Sequence, residues 1–113
     1  MNKQKISLKI DKKVLSKIQP NSGLLVSLKK TESCCSMLVE SKVEIVPLES
    51  INNLENAQTV EVYREYERVV AFDVEIFDIY PKQSSFVISM TGFPSRKPKV
   101  NIPAEMVSKE VCK

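Results

Sequence analysis

The stretch Gly23-Leu24-Leu25-Val26-Ser27-Leu28-Lys29-Lys30 decides how this chain folds. Its apolar part, residues 24–28, is compact and bounded by a glycine and two lysines, which is typical of a central β-strand. The strand leads directly into Thr31-Glu32-Ser33-Cys34-Cys35-Ser36, where two adjacent thiols sit in a small polar segment. The sequence therefore predicts that the central strand delivers the chain to its best candidate site.

On the N-terminal side of this strand the pattern predicts a strand and a short helix. Residues 5–10 alternate between polar and apolar side chains, as in a half-buried strand. Asp11 is placed to cap a helix whose apolar stripe is formed by Val14, Leu15 and Ile18. The helix has about two turns and would not be stable alone, so we expect it to pack on a sheet.

On the C-terminal side the chain reads as a series of short strands. We predict a hairpin of residues 37–39 and 43–46, a second pair formed by 60–66 and 69–72, and single strands at 85–91 and 97–102. Pro98 indicates that the last strand lies at an edge, because proline cannot donate to the ladder. Residues 48–59 are polar and predict a loop with at most a helical turn, and residues 73–80 fit either a strand or a helical turn.

These elements predict a mainly β, β-rich α+β protein. It has six to eight short strands in a sheet or sandwich and one short N-terminal helix. No repeat or linker divides the chain, so we expect a single domain over residues 1–103. The remaining tail, residues 104–113, has the apolar spacing of a short helix.

Composition indicates the class of protein and its compartment. The chain has 113 residues, 42% of them apolar and 27% charged, which is typical of a globular protein. No apolar run approaches the roughly 20 residues that cross a bilayer, and no continuous apolar segment follows the basic N-terminus. Three cysteines do not form a secreted disulfide framework. We therefore expect a cytoplasmic protein without membrane contact.

Charge is distributed unevenly along the chain. Residues 1–30 carry eight lysines against one aspartate, residues 31–95 carry four basic and eleven acidic side chains, and residues 96–113 carry five basic and two acidic ones. The basic ends and the acidic middle can pair within the fold or head to tail with a second copy. No aromatic residue accompanies the N-terminal lysines, so we expect no nucleic-acid partner.

The lack of histidine and the small number of glycines exclude several kinds of catalytic and binding site. The sequence has no histidine, which excludes a Ser-His-Asp triad, a Cys-His pair and a histidine metal ligand. It has two glycines, Gly23 and Gly92, which excludes a P-loop and a dinucleotide fingerprint.

Cys34 and Cys35 remain as the candidate redox or metal-binding residues. In a flat strand their side chains would point to opposite faces, whereas in a loop they can converge. Convergent thiols suit thiol redox chemistry or the binding of a soft metal ion. The alternative is that both are small buried apolar residues, since cysteine is often buried. The protein would then be an interaction module that uses its charge asymmetry.

Cys112 is a weaker candidate near the C-terminus. One chain would offer three thiolates, fewer than the four ligands of a closed zinc site. Two chains that meet at the Cys34-Cys35 loop would supply four, the number that a small iron–sulfur cluster needs. This alternative predicts a homodimer that carries an iron–sulfur cluster or a metal ion.

The order of these features resembles the HesB-like domain, the fold of the A-type iron–sulfur carriers. The likeness rests on strands 6–10 and 24–28, on Cys34-Cys35 and on the segment Ser89-Met90-Thr91-Gly92-Phe93, and it spans residues 4–102. Within the family the chain is most similar to the CC/Se-motif (seleno)protein branch. That resemblance implies a β-rich HesB-like fold with Cys34 and Cys35 in redox or metal chemistry. The Cys-Gly-Cys segment that A-type carriers have near their C-terminus is absent here.

Overall fold

A computed structural model describes residues 5–92 and 96–108. In chain order the described strands are β1 Ser7–Ile10, β2 Ser22–Glu32, β3 Ser36–Pro47, β4 Val60–Glu65, β5 Arg68–Asp73, β6 Ser85–Met90, β7 Pro98–Val100 and β8 Glu105–Ser108. The helices are α1 Lys12–Leu15, α2 Leu48–Asn56 and α3 Glu75–Ile79. The β-rich α+β class is confirmed, with three helices among the described residues where one was expected.

The strands form two sheets. The larger has the order β4-β5-β2-β3-β8, in which β2 and β5 are parallel and the other neighbours are antiparallel. The smaller has the order β1-β6-β7, with β1 parallel and β7 antiparallel to β6. β7 lies at an edge, as the proline at its start predicted.

The main core lies between the two sheets. Phe72 on β5 and Phe86 on β6 are fully buried, and their ring centroids are 4.9 Å apart. Val14 of α1 and Ile76 of α3 are also fully buried in this cluster. Each such side chain contributes about 1.5–3 kcal/mol by leaving water, so this apolar layer holds the sheets face to face.

A second apolar cluster lies on the opposite face of the larger sheet, under α2. Ile51 of the helix is buried there with Val69 and Ala71 of β5. Gly23 of β2 allows the helix to come close, because a Cβ at this position would lie 2.7 Å from both Ile51 Cδ1 and the Val69 carbonyl oxygen. β5 is therefore covered on both faces, which explains its unbroken apolar run.

The prediction for residues 37–46 was wrong. The chain forms one continuous strand, β3, and its hairpin partner is β2, paired from Ser22↔Pro47 to Glu32↔Met37. The polar residues 40–42, expected to turn, stay extended because each pairs with a residue of β2. The hairpin turn lies instead at the cysteines.

Three helical predictions also need correction. The expected loop at residues 48–59 contains α2, which becomes stable by burying Ile51 against the sheet. The N-terminal helix has a single turn, although Asp11 does cap it by accepting from the Lys13 backbone N–H at 3.3 Å. The expected helix after residue 104 is replaced over its described part by β8, which pairs with β3.

Candidate functional site

The two cysteines form the tip of the β2–β3 hairpin. The turn runs from Ser33 to Ser36 and is closed by the Ser33 backbone N–H, which donates to the Ser36 carbonyl oxygen at 2.9 Å. Ser33 Oγ donates to the same carbonyl at 3.0 Å and lies 2.9 Å from Ser36 Oγ. The two serines thus hold the ends of the turn together and present Cys34 and Cys35 between them.

The cysteine side chains converge at the surface. Both residues are exposed, and their Sγ atoms are 3.6 Å apart. Cys34 carries a thiol, whereas Cys35 is disulfide-bonded. Because the two sulfurs share one side of a turn, the expected loop placement and the convergence of the pair are confirmed. The alternative of two buried apolar cysteines is wrong, because neither is in the core.

The charges near the turn come from the hairpin arms. The last four residues of β2 are exposed, among them the basic Lys29 and Lys30 and the acidic Glu32. The Lys30 ammonium forms an ion pair with Glu75 at the start of α3. That pair connects the outer half of the hairpin to the body of the protein, which helps to fix the direction in which the tip points.

Cys112 lies outside the described residues. The last described residue, Ser108, is opposite Ser36 in the β3–β8 pairing, beside the cysteine turn.

Sequence reasoning recognised the cysteines but not the residues that close the turn. The sequence marks Ser33 and Ser36 only as small polar neighbours of the cysteines, although serine hydroxyls commonly bond to nearby backbone in turns. In the described part of the chain, no three side chains of the types Cys, Asp and Glu gather as a metal-binding group. Over the same residues no helix is long and apolar enough to span a membrane.

The chain was compared with models of protein families, with curated proteins and with solved structures, and none of the three comparisons finds a match, so the HesB-like likeness stays a prediction from sequence.

Proposed function

We propose that Cys34 and Cys35 form a thiol–disulfide redox centre. The observation that carries the proposal is the 3.6 Å separation of two exposed sulfurs at the tip of a hairpin. The Cys34 thiolate attacks Cys35 Sγ and forms a Cys34–Cys35 bond. The existing disulfide bond of Cys35 breaks, and the other sulfur of that bond leaves with the electron pair as a thiolate. This exchange conserves electrons and requires no external oxidant.

A Cys34–Cys35 disulfide would be a reactive species. Adjacent Cα atoms are about 3.8 Å apart across a trans peptide, below the roughly 4.4–6.8 Å of ordinary disulfides. The resulting strain favours reduction. A dithiol substrate then passes two electrons and two protons to the pair, becomes a disulfide and leaves both cysteines as thiols. The likeness to the CC/Se-motif branch supports this role, and the chemistry fits a cytoplasmic protein.

The test is a redox titration of the full chain in glutathione buffers, with thiols trapped by a maleimide and counted by intact mass. We expect Cys112→Ser to retain a reversible two-electron transition, and peptide mapping to find the Cys34–Cys35 linkage in its oxidised form. Adding Cys34→Ser to the Cys112→Ser variant should abolish that transition, because only Cys35 then remains. If the double variant still shows the same two-electron transition, or if Cys112→Ser alone has none, the proposal fails.

A second candidate function is the binding of a soft metal ion, and the same sulfur separation favours it. Tetrahedral zinc with bonds of about 2.3 Å holds two thiolates about 3.8 Å apart, close to the 3.6 Å between the two sulfurs, and reduction of the Cys35 disulfide would supply the second thiolate. Two chains would complete a four-thiolate site for a metal ion or an iron–sulfur cluster.

The metal function is tested separately with the reduced protein. Addition of Cd²⁺ should produce thiolate-to-metal absorption in the ultraviolet, with one ion bound per two chains and a dimeric mass in solution. Anaerobic addition of iron and sulfide tests the cluster in the same way through visible colour. Absence of both signals, or signals that persist in Cys34→Ser, would eliminate this candidate.

A further inference from the structure

A second surface feature does not involve the cysteines. A pocket of about 440 Å³ lies beside α1 and is also lined by Thr91 and Gly92, which follow β6, and by Arg96, which precedes β7. Its wall includes the cations Lys13, Lys17 and Arg96, with Asp11 as the acidic member. The volume lies within the range of small-molecule sites, roughly 300–1,000 Å³.

The three cations are not used in ion pairs within the described structure. There the ion pairs are Lys30 with Glu75 and Lys42 with Glu44, both outside the pocket. The carboxylate of Asp11 has a structural task, since its Oδ1 accepts from the Lys13 backbone N–H and caps α1. The formal charge of the pocket side chains is therefore +2, three cations against one carboxylate.

The surrounding fold strengthens this positive potential. Segments 5–18 and 85–101, which contain the smaller sheet and α1, carry eight Lys or Arg against one Asp, a formal charge of +7. Segment 22–83, which contains β2–β5, carries six basic and eleven acidic side chains, a formal charge of −5. Charge that alternates in blocks along the chain is thus separated in space, and the field draws anions towards the pocket.

We propose that this pocket binds the phosphate group of a small phosphate monoester. Such a group carries about −1.5 to −2 charges at neutral pH, which matches the pocket charge of +2. Arg96 offers a planar fork suited to phosphate oxygens, and the two lysines add point charges. Ser16 and Thr91 are also in the wall, but their hydroxyl groups are engaged within the protein: Ser16 Oγ donates to the Lys13 carbonyl oxygen at 2.9 Å, and Thr91 Oγ1 accepts from the Lys97 backbone N–H at 2.8 Å.

The probes are inorganic phosphate and ribose 5-phosphate, with ribose as the uncharged control. Calorimetric titration of the full chain at low salt should show binding of both phosphates and none of ribose. Lys17→Gln and Arg96→Gln should each weaken binding about tenfold, the effect of losing one charge-assisted hydrogen bond. Lys82→Gln removes the same charge outside the pocket and should change affinity by less than about twofold.

A steric variant separates a pocket from diffuse attraction. Gly92 is part of the pocket wall, and a Cβ there would meet no described atom within 4 Å, so Gly92→Leu adds bulk to the wall without changing any charge. We expect it to abolish binding of ribose 5-phosphate with an unchanged urea midpoint. The proposal is overturned if Gly92→Leu binds normally, if Lys82→Gln weakens binding as much as Lys17→Gln, or if the protein binds only long polyanions such as an oligonucleotide.

Discussion

The turn between β4 and β5 holds two residues in an unfavourable backbone conformation. Glu65 pairs with Arg68, so the connection has only two residues, Tyr66 and Glu67. Their φ angles are 51° and 62°. Two-residue hairpin turns with positive φ at both positions favour Asn-Gly, because other side chains cost about 1–2 kcal/mol each in that region. The double substitution Tyr66→Asn, Glu67→Gly should therefore stabilise the protein.

The expected gain can be worked out residue by residue. Tyr66 is 57% exposed, so its truncation sacrifices little burial, and asparagine recovers part of the strain. Glycine removes the strain at position 67 but loses about 0.5–1 kcal/mol in backbone entropy. The net gain is about 1–2 kcal/mol, which raises Tm by roughly 4–8 °C per kcal/mol in a domain near this size.

Urea titration followed by circular dichroism measures the change in unfolding free energy. Glu67→Ala is the matched control, since it removes the charge but keeps the Cβ that makes positive φ costly. It should leave the free energy of unfolding within about 0.5 kcal/mol of that of the unaltered protein. If the double variant is no more stable than Glu67→Ala, the turn is not strained and the reasoning is refuted.

Two further predictions concern packing and pH. Gly23→Ala should lower the free energy of unfolding by about 1–3 kcal/mol, because its Cβ would lie 2.7 Å from the Val69 carbonyl oxygen. Gly92→Ala is the control, since its Cβ would meet no described atom within 4 Å. Equal urea midpoints for the two variants would contradict the prediction. Burial and the hydrogen bond to Glu61 raise the pKa of Tyr63, so the unfolded chain loses this proton first. The free energy of unfolding therefore keeps its full value below about pH 10, the pKa of an exposed tyrosine, and decreases as the pH rises above it. In urea titrations at a series of pH values, Tyr63→Phe should make this decrease in unfolding free energy less steep. If the variant and the unaltered protein lose unfolding free energy equally with pH, the prediction is wrong.

The alternation of polar and apolar residues was sufficient to predict a strand wherever one face of it is buried and the other is exposed. β1 and β6 both alternate in this way, and the structure places them side by side. The cap at Asp11 and the edge position of Pro98 were also predictable, because each depends on the hydrogen bonding of one residue type.

Elements that depend on distant partners were not predictable in this way. The polar residues 40–42 remain in β3 because β2 supplies backbone partners along its whole length. α2 has an apolar stripe only at Leu48, Ile51 and Leu54, which is too sparse to stand out, and it exists because the sheet covers that stripe. The β4–β5 hairpin was predicted, but its turn lies at Tyr66 and Glu67 rather than at residues 67–68, because no glycine or asparagine marks its position.

The same distinction applies to the candidate sites. Cys34 and Cys35 are neighbours in sequence, so their approach in a loop was predictable, although the turn that achieves it was not. The phosphate pocket joins α1 to Arg96, which are about eighty residues apart in the chain and meet because β1 pairs with β6. No local motif could indicate it.

The position of the cysteines at a hairpin tip bears on the kind of substrate they would meet. From Lys29 to Cys35 every residue is exposed, so the sulfurs stand clear of the main core. A small molecule would gain few contacts at such a tip, since small-molecule sites are concave. A cysteine thiol on another protein needs only access to the sulfur, because bond exchange rather than a pocket supplies the interaction. The long pairing of β2 with β3 keeps this tip in a defined direction, and we therefore expect protein thiols, rather than small thiols, to be the preferred partners of the proposed redox centre.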